Sequence, residues 1–231
     1  MASYQQKQYQ LFREIEEKFK RGESPSTIVE PIQDYSQDNQ ICLTGVVFLS
    51  GRLQTLITKK IIEPLRKIDP EQYYYLPDSL HLTIQNVRTI NNPPLFSDED
   101  VKKVQNVFKK VIPKHQRFEF ELKGLFELPT SLGICAYSDK SIKDLCFDLR
   151  DELTKTGVPD NKTYASKEII FGNVTVSRYT TTPSPEFFKE INRMKDMEIG
   201  KLKVKTVSLI TTNSVCHPKL TKFIQTFDLK V

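Results

Sequence analysis

The sequence predicts a mixed fold, α/β or α+β, in one large domain or two small lobes around a shared core. Three observations support this. The chain has 231 residues, 38% hydrophobic and 27% charged, enough apolar material for a substantial core and too much for a disordered chain. The order strand–helix–strand–helix–strand can be read twice along it, which places helices over sheets. The first strand of each half also precedes a polar-on-apolar triplet by nearly the same distance. It is 40 residues from Ile41 to His81 and 41 from Leu132 to Asn173, as expected of a duplicated unit.

Residues 4–20 form the first expected helix, because Leu11, Ile15 and Phe19 recur at helical spacing with Phe12 beside them. The Pro-, Ser-, Gln- and Asp-rich stretch from Gly22 to about Gln40 reads as an extended linker. Residues 1–40 are thus set apart from a main domain at 41–231, with lobes at about 41–130 and 131–231. The run from Ile41 to Leu49 is apolar enough for a buried strand. A helix at 52–67 follows, with Leu53, Leu56, Ile57, Ile61 and Leu65 on one side and Pro64 placed to kink or end it. The first triplet strand spans 80–87. Ser97 and the acidic Asp98, Glu99 and Asp100 open a helix at 97–111. The alternation from Arg117 to Leu122 predicts the strand that closes this half.

In the second half, Leu132–Tyr137 reads as a strand and 139–156 as an amphipathic helix. The second triplet strand covers 170–178, and a helix runs from Pro185 to Met194. Leu202–Ile210 alternates as one long strand, and 222–229 supplies the last.

Lys and Arg outnumber Asp and Glu by 34 to 29, a balance compatible with a phosphate-rich partner and also with lysine-rich solvated helices. The four cysteines, at 42, 135, 146 and 216, lack metal-ligand spacing and disulfide-scaffold density. The polar N-terminus has no signal-like apolar region, and no run reaches the ~20 apolar residues of a membrane span. These readings place the chain, as an expectation, in a reducing cytoplasm as a monomer. The Asn-x-Thr sequons at Asn161 and Asn173 would then carry no glycan.

The two triplets carry the functional signal. Side chains alternate between the faces of a strand, so His81, Thr83 and Gln85 are expected to share one face, and Asn173, Thr175 and Ser177 another. Brought side by side by a pseudo-twofold, the two polar faces would line one groove. Threonine hydroxyls can donate to phosphate oxygens, and a histidine on each side of the phosphorus could take and give a proton. The bland reading is the solvated side of a sheet.

The stretch Leu80-His81-Leu82-Thr83-Ile84, with Asn173-Val174-Thr175-Val176-Ser177-Arg178-Tyr179, resembles the two motifs of the 2H phosphoesterase superfamily, in particular its 2′–5′ RNA ligase-like branch. The approach from Tyr73 to His81 and the region Val204–Ile210 resemble it too, and the likeness runs from about Ile41 to the C-terminus. It implies a two-lobed α+β fold, with antiparallel sheets flanking a central cleft. It also implies chemistry without metal or cofactor on RNA or nucleotide phosphodiesters, 2′,3′-cyclic or 2′,5′-linked. By position, His81 would be one acid–base residue and Thr83 and Thr175 the phosphate-holding hydroxyls, while Asn173 stands where the second catalytic histidine belongs.

An amide can donate to a phosphate but cannot shuttle a proton near neutral pH, and losing one general acid or base costs ~10²–10⁴ in rate. The expected function is RNA or nucleotide phosphodiester binding with weakened or altered phosphoesterase activity. The alternatives are an inactive binding module that docks a protein through residues 4–20, and an unrelated α/β protein. Tyr75 and Tyr179 could stack on a base, and His217, in the loop Thr211–Pro218, could border the cleft. His115 reads as a surface residue. Arg178 should point away from Asn173 on an ideal strand, unless the strand is bulged or bent. Lys201, Lys203 and Lys205 read as a solvent-facing row.

Overall fold

Residues 3–23 and 27–231 are described in a computed structural model of the protein. The continuous apolar run of β1 (Ile41–Phe48) is buried because the strand lies inside a sheet, between β3 (His81–Asn91) and β8 (Thr206–Thr212). β9 (Lys222–Asp228) completes this four-stranded sheet in the order β3-β1-β8-β9. The second sheet runs β2-β6-β5-β4-β7, from β2 (Tyr73–Tyr74), β6 (Gly172–Arg178), β5 (Ser131–Tyr137), β4 (Phe118–Leu128) and β7 (Glu198–Val204). Every pairing within the sheets is antiparallel. The expected α+β fold is therefore present. Strand for strand, β3, β1, β8 and β9 correspond to β6, β5, β4 and β7.

This correspondence alters the lobes. β4 and β5 are joined by the two-residue hairpin Pro129-Thr130, with Leu128 opposite Ser131, and so short a turn holds both strands in one sheet. β8 and β9, late in the chain, return to the sheet of β1 and β3. Each sheet draws on both halves, and no cut near residue 130 separates them. For the same reason the single strand expected at 202–210 is two strands. β7 pairs with β4, and after Lys205 the chain enters the other sheet as β8, beside β1. The hydrophobic alternation continues across that exchange, so it conceals the change of partner.

The first long helical stretch comprises α2 (Gly51–Ile57), a π-type turn at Thr58–Ile62 and α3 (Glu63–Ile68). Pro64 does not end it, because the widened turn lies just where the ring has no N–H to give. α4 (Asp98–Val111) opens with a reciprocal cap, Ser97 Oγ accepting from the Asp100 N–H and the Asp100 carboxylate from the Ser97 N–H. α5 (Ser141–Lys155) packs on α4 and β3. Ser184 caps α6 (Pro185–Arg193), which has proline in its first turn. No described helix is long and apolar enough to cross a membrane.

The N-terminal segment is built into this body. The apolar stripe of α1 (Tyr4–Lys20) lies on β4 and β5, and Phe12 sits 4.9, 5.5 and 4.7 Å (ring centroids) from Phe126, Tyr137 and Phe171. Gln8, fully buried, donates to the Ile170 carbonyl (2.7 Å) and accepts from the Ser138 N–H (3.0 Å). The apolar side of the helix at 4–20, the segment expected to dock a protein partner, is thus covered by the chain's own sheet. The expected linker is also anchored: Tyr35 is buried, its carbonyl accepts from Asn213 and Asp38 accepts from Ser214.

Candidate functional site

The two triplets lie at equivalent places in the two sheets. His81 opens β3 opposite Phe48 of β1, and Asn173 lies near the start of β6 opposite Cys135 of β5. Immediately after its threonine, each motif strand carries a one-residue bulge. In β3, Thr83 faces Val46 and Gln85 faces Gly45, leaving Ile84 extra; in β6, Thr175 faces Gly133 and Ser177 faces Leu132, leaving Val176 extra. A bulge reverses the side-chain alternation beyond it. Gln85 and Ser177, expected on the polar face, are instead buried, with Ser177 Oγ donating to the Tyr73 carbonyl. Asn86 and Arg178 take their places on the cavity wall. The bend that an arginine role required is therefore present.

β3 and β6 approach closely because Gly172 has no side chain. A Cβ there would stand 2.7 Å from Leu82 Cδ1 and 2.9 Å from Phe120 Cε1. Across this contact opens a cavity of about 490 Å³, lined by His81, Thr83, Asn173, Thr175, Tyr75 and Arg178 among others. The Asn173 amide donates to Thr175 Oγ1 (3.4 Å). Arg178 donates to Tyr75 Oη and to the Ser214 carbonyl, 3.2 Å each, and Tyr75 Oη donates to the same carbonyl (3.1 Å). Both hydrogen-bond partners of the guanidinium are neutral, and among the described residues it makes no ion pair within 4 Å.

His81 Nδ1 lies 2.7 Å from the Ser79 carbonyl. A carbonyl can only accept, so this nitrogen carries a proton and Nε2 is the one able to take or give another. Ser79 Oγ in turn donates to the Cys216 carbonyl (2.8 Å), and Cys216 is held at a positive φ of 52°. Burial pushes the His81 pKa down, but the Cys216 thiol and the Ser79 carbonyl outweigh it and leave it raised. Burial alone would push the Cys216 thiol up; His81 beside it brings it below its ordinary value. The two shifts are one coupled effect of imidazole against thiol.

Two irregular segments complete the walls. The loop between α5 and β6 contributes Lys162 and Tyr164, joined by Arg150 from α5. The segment from Thr27 to Ile32 lies along the cavity. Thr27 and Thr163 exchange hydrogen bonds (3.4 and 3.1 Å), and the Val29 carbonyl accepts from Thr130 Oγ1 (2.8 Å).

Of the residues expected from sequence, His81, Thr83, Asn173, Thr175 and Tyr75 line this one cavity. Tyr179 does not: it is buried, its ring edge-on to Phe187 at 5.9 Å, because the reversed alternation turns it into the core. His217 also lies outside the walls, its Nδ1 accepting from the Lys219 N–H (3.3 Å) within its own turn. His115 meets Asp148 at 3.1 Å, away from the cavity. Sequence reasoning passed over Lys162, Tyr164 and Arg150. The signal was the long stretch 157–169 without periodicity, since long irregular loops in a compact domain are commonly functional. Among the described residues no cluster of three or more metal-ligating side chains forms.

Sequence comparison finds no matching family model and no matching curated relative. Solved structures do match. A conserved protein of unknown function from Agrobacterium tumefaciens aligns at TM-score 0.60 and 17% identity, over 82% of this chain and 86% of that one. TT0787 of Thermus thermophilus aligns at 0.57 and 16%, over 82% and 98%. Escherichia coli LigT complexed with 3′-AMP aligns at 0.53 and 14%, over 84% and 100%. The chain therefore has the fold of LigT and of these two structures.

Proposed function

We propose that the protein binds RNA or nucleotide phosphodiesters in the cavity between β3 and β6, and that its phosphoesterase activity is weakened or altered. The observation that carries this reading is the convergence of His81-x-Thr83 and Asn173-x-Thr175 on one cavity, from equivalent strands with equivalent bulges. Thr83 and Thr175 offer hydroxyls to the non-bridging phosphate oxygens, and Arg178 offers a positive charge from the same cavity wall. His81, its tautomer fixed through Ser79, supplies proton transfer through Nε2. Asn173 orients a phosphate or an alkoxide through its amide without exchanging a proton. Structures of LigT with 3′-AMP, with ATP and with phosphate support a nucleotide or phosphate as the ligand class.

A second reading, binding without turnover, is favoured by the Asn173 amide, already turned to Thr175, and by the absence of His115 and His217 from the cavity walls. Wild type, His81→Ala and Asn173→His assayed on 2′,3′-cyclic nucleotides and 2′,5′-linked oligonucleotides separate the two. The enzyme reading expects wild-type turnover that His81→Ala lowers by ~10²–10⁴. The binding reading expects nucleotide binding without wild-type turnover and a gain in Asn173→His. Failure of every phosphate ligand and RNA to bind overturns both.

A further inference from the structure

The cavity is lined by three side-chain cations, Arg178, Lys162 and Arg150, and by the carboxylates of Glu30 and Asp38. Arg178 stands beside Thr175, while Lys162 and Arg150 enter from the loop and helix that precede β6. Arg150 has one carboxylate at ion-pairing range, Asp160 at 3.8 Å. Among the described residues none lies within 4 Å of the Lys162 ammonium or the Arg178 guanidinium. The group around Arg150 is tied together by several contacts. Its guanidinium lies 3.7 Å above the Tyr164 ring centroid and its Nε donates to Gln85 Oε1 (3.3 Å); Gln85 Nε2 donates to Asp160 Oδ2 (3.0 Å) and Tyr164 Oη (3.2 Å). Gln85 reaches this group because the bulge at Ile84 turned it away from the His81 face.

Burial holds the Lys162 ammonium below its ordinary value, and Arg150 and Arg178 add repulsion that Asp160 only partly opposes. Cations gathered in one cavity repel each other unless an anion joins them. Arg178 lies on the same strand as Thr175, whereas Lys162 comes from the α5–β6 loop, among Arg150, Asp160 and Tyr164. A phosphate seated between Thr83, Thr175 and Arg178 leaves the Lys162 group to a second anion.

We propose that Lys162 and Arg150 form a second anion subsite in this cavity, so that the preferred ligand bears two phosphate groups, one on the Thr83–Thr175 pair and one on Lys162. This rests on the phosphodiester-binding reading above and narrows its substrate class. The second phosphate has two sources, a free nucleotide phosphorylated at two positions or the neighbouring phosphate of an RNA strand.

The test is calorimetric titration of the full chain with AMP, adenosine 3′,5′-bisphosphate and a 5′-phosphorylated dinucleotide, with circular dichroism confirming that each variant is folded. Wild type is expected to bind a bisphosphorylated ligand at least about tenfold more tightly than AMP, the range of one charge-assisted contact. Whether the bisphosphate or the dinucleotide gains more identifies the source. Lys162→Met removes the advantage and leaves AMP binding nearly unchanged, Lys162→Arg restores it, and Thr83→Ala weakens all three ligands. Equal affinity for AMP and both bisphosphorylated ligands, or an equal loss for all of them in Lys162→Met, overturns the second subsite while the phosphate reading stands. Failure of all three to bind overturns the phosphate reading, and the subsite with it.

Discussion

Replacing Gly172 by alanine tests the contact that brings the two motifs together. The added Cβ meets Leu82 Cδ1 at 2.7 Å, Phe120 Cε1 at 2.9 Å and Ala136 Cβ at 3.2 Å, and all three neighbours are fully buried. Two of these contacts are shorter than a Cβ accepts, and the backbone at Gly172 lies outside the left-handed region, so the penalty is steric alone. Overpacking a close-packed core costs about 1–3 kcal/mol, and three simultaneous contacts place this case near 2–3 kcal/mol. For a chain of this size that is a fall in Tm of about 4–12 °C. Leu82→Ala makes room but costs about 2–5 kcal/mol as a cavity. Residues in contact do not add, so the double variant should lose about 1–2 kcal/mol less than the sum of the singles. Urea unfolding of the four proteins measures this coupling, and phosphate titration reads the spacing of the site. An unchanged midpoint in Gly172→Ala, or strict additivity with Leu82→Ala, refutes the close approach of β3 to β6 at this point.

Three further outcomes are expected. Cys216→Ala keeps a Cβ at the same positive φ but removes the thiol that raises the His81 pKa, leaving the Ser79 carbonyl to raise it against burial and Arg178, which lower it; a two-dimensional NMR titration of the imidazole should show a downward shift, and no shift would separate the two groups. Asp100, held below its ordinary value chiefly by the Ser97 N–H, favours folding above the usual carboxylate range and loses that contribution as pH falls through its folded value. Asp100→Asn should therefore lower Tm near neutrality and flatten its decline in acid, an effect of about 0.5–1 kcal/mol. Gln8→Ala leaves the Ser138 N–H buried without its acceptor and should cost about 1–3 kcal/mol, with faster amide exchange at Ser138 reporting loss of the tie between α1 and β5.

The sequence by itself determined what depends on local periodicity. Residues at i and i+2 share a strand face, so the pairing of His81 with Thr83 and of Asn173 with Thr175 could be read directly, as could the equal spacing that made them counterparts. Helix caps such as Ser97 with Asp100 were equally legible, because their partners are three residues apart. Tertiary structure decided what depends on the partner strand. A bulge is defined by two residues facing one across a ladder, and the bulges at Ile84 and Val176 were invisible in the alternation they reverse. They bury Gln85 and Ser177, bring Arg178 to the cavity wall and turn Tyr179 into the core. The exchange of sheets at Lys205 escaped notice for the same reason, since pairing changes there while periodicity does not. Lys162 and Arg150 line one cavity only because the α5–β6 loop folds back over β3, a long-range placement that no local pattern encodes.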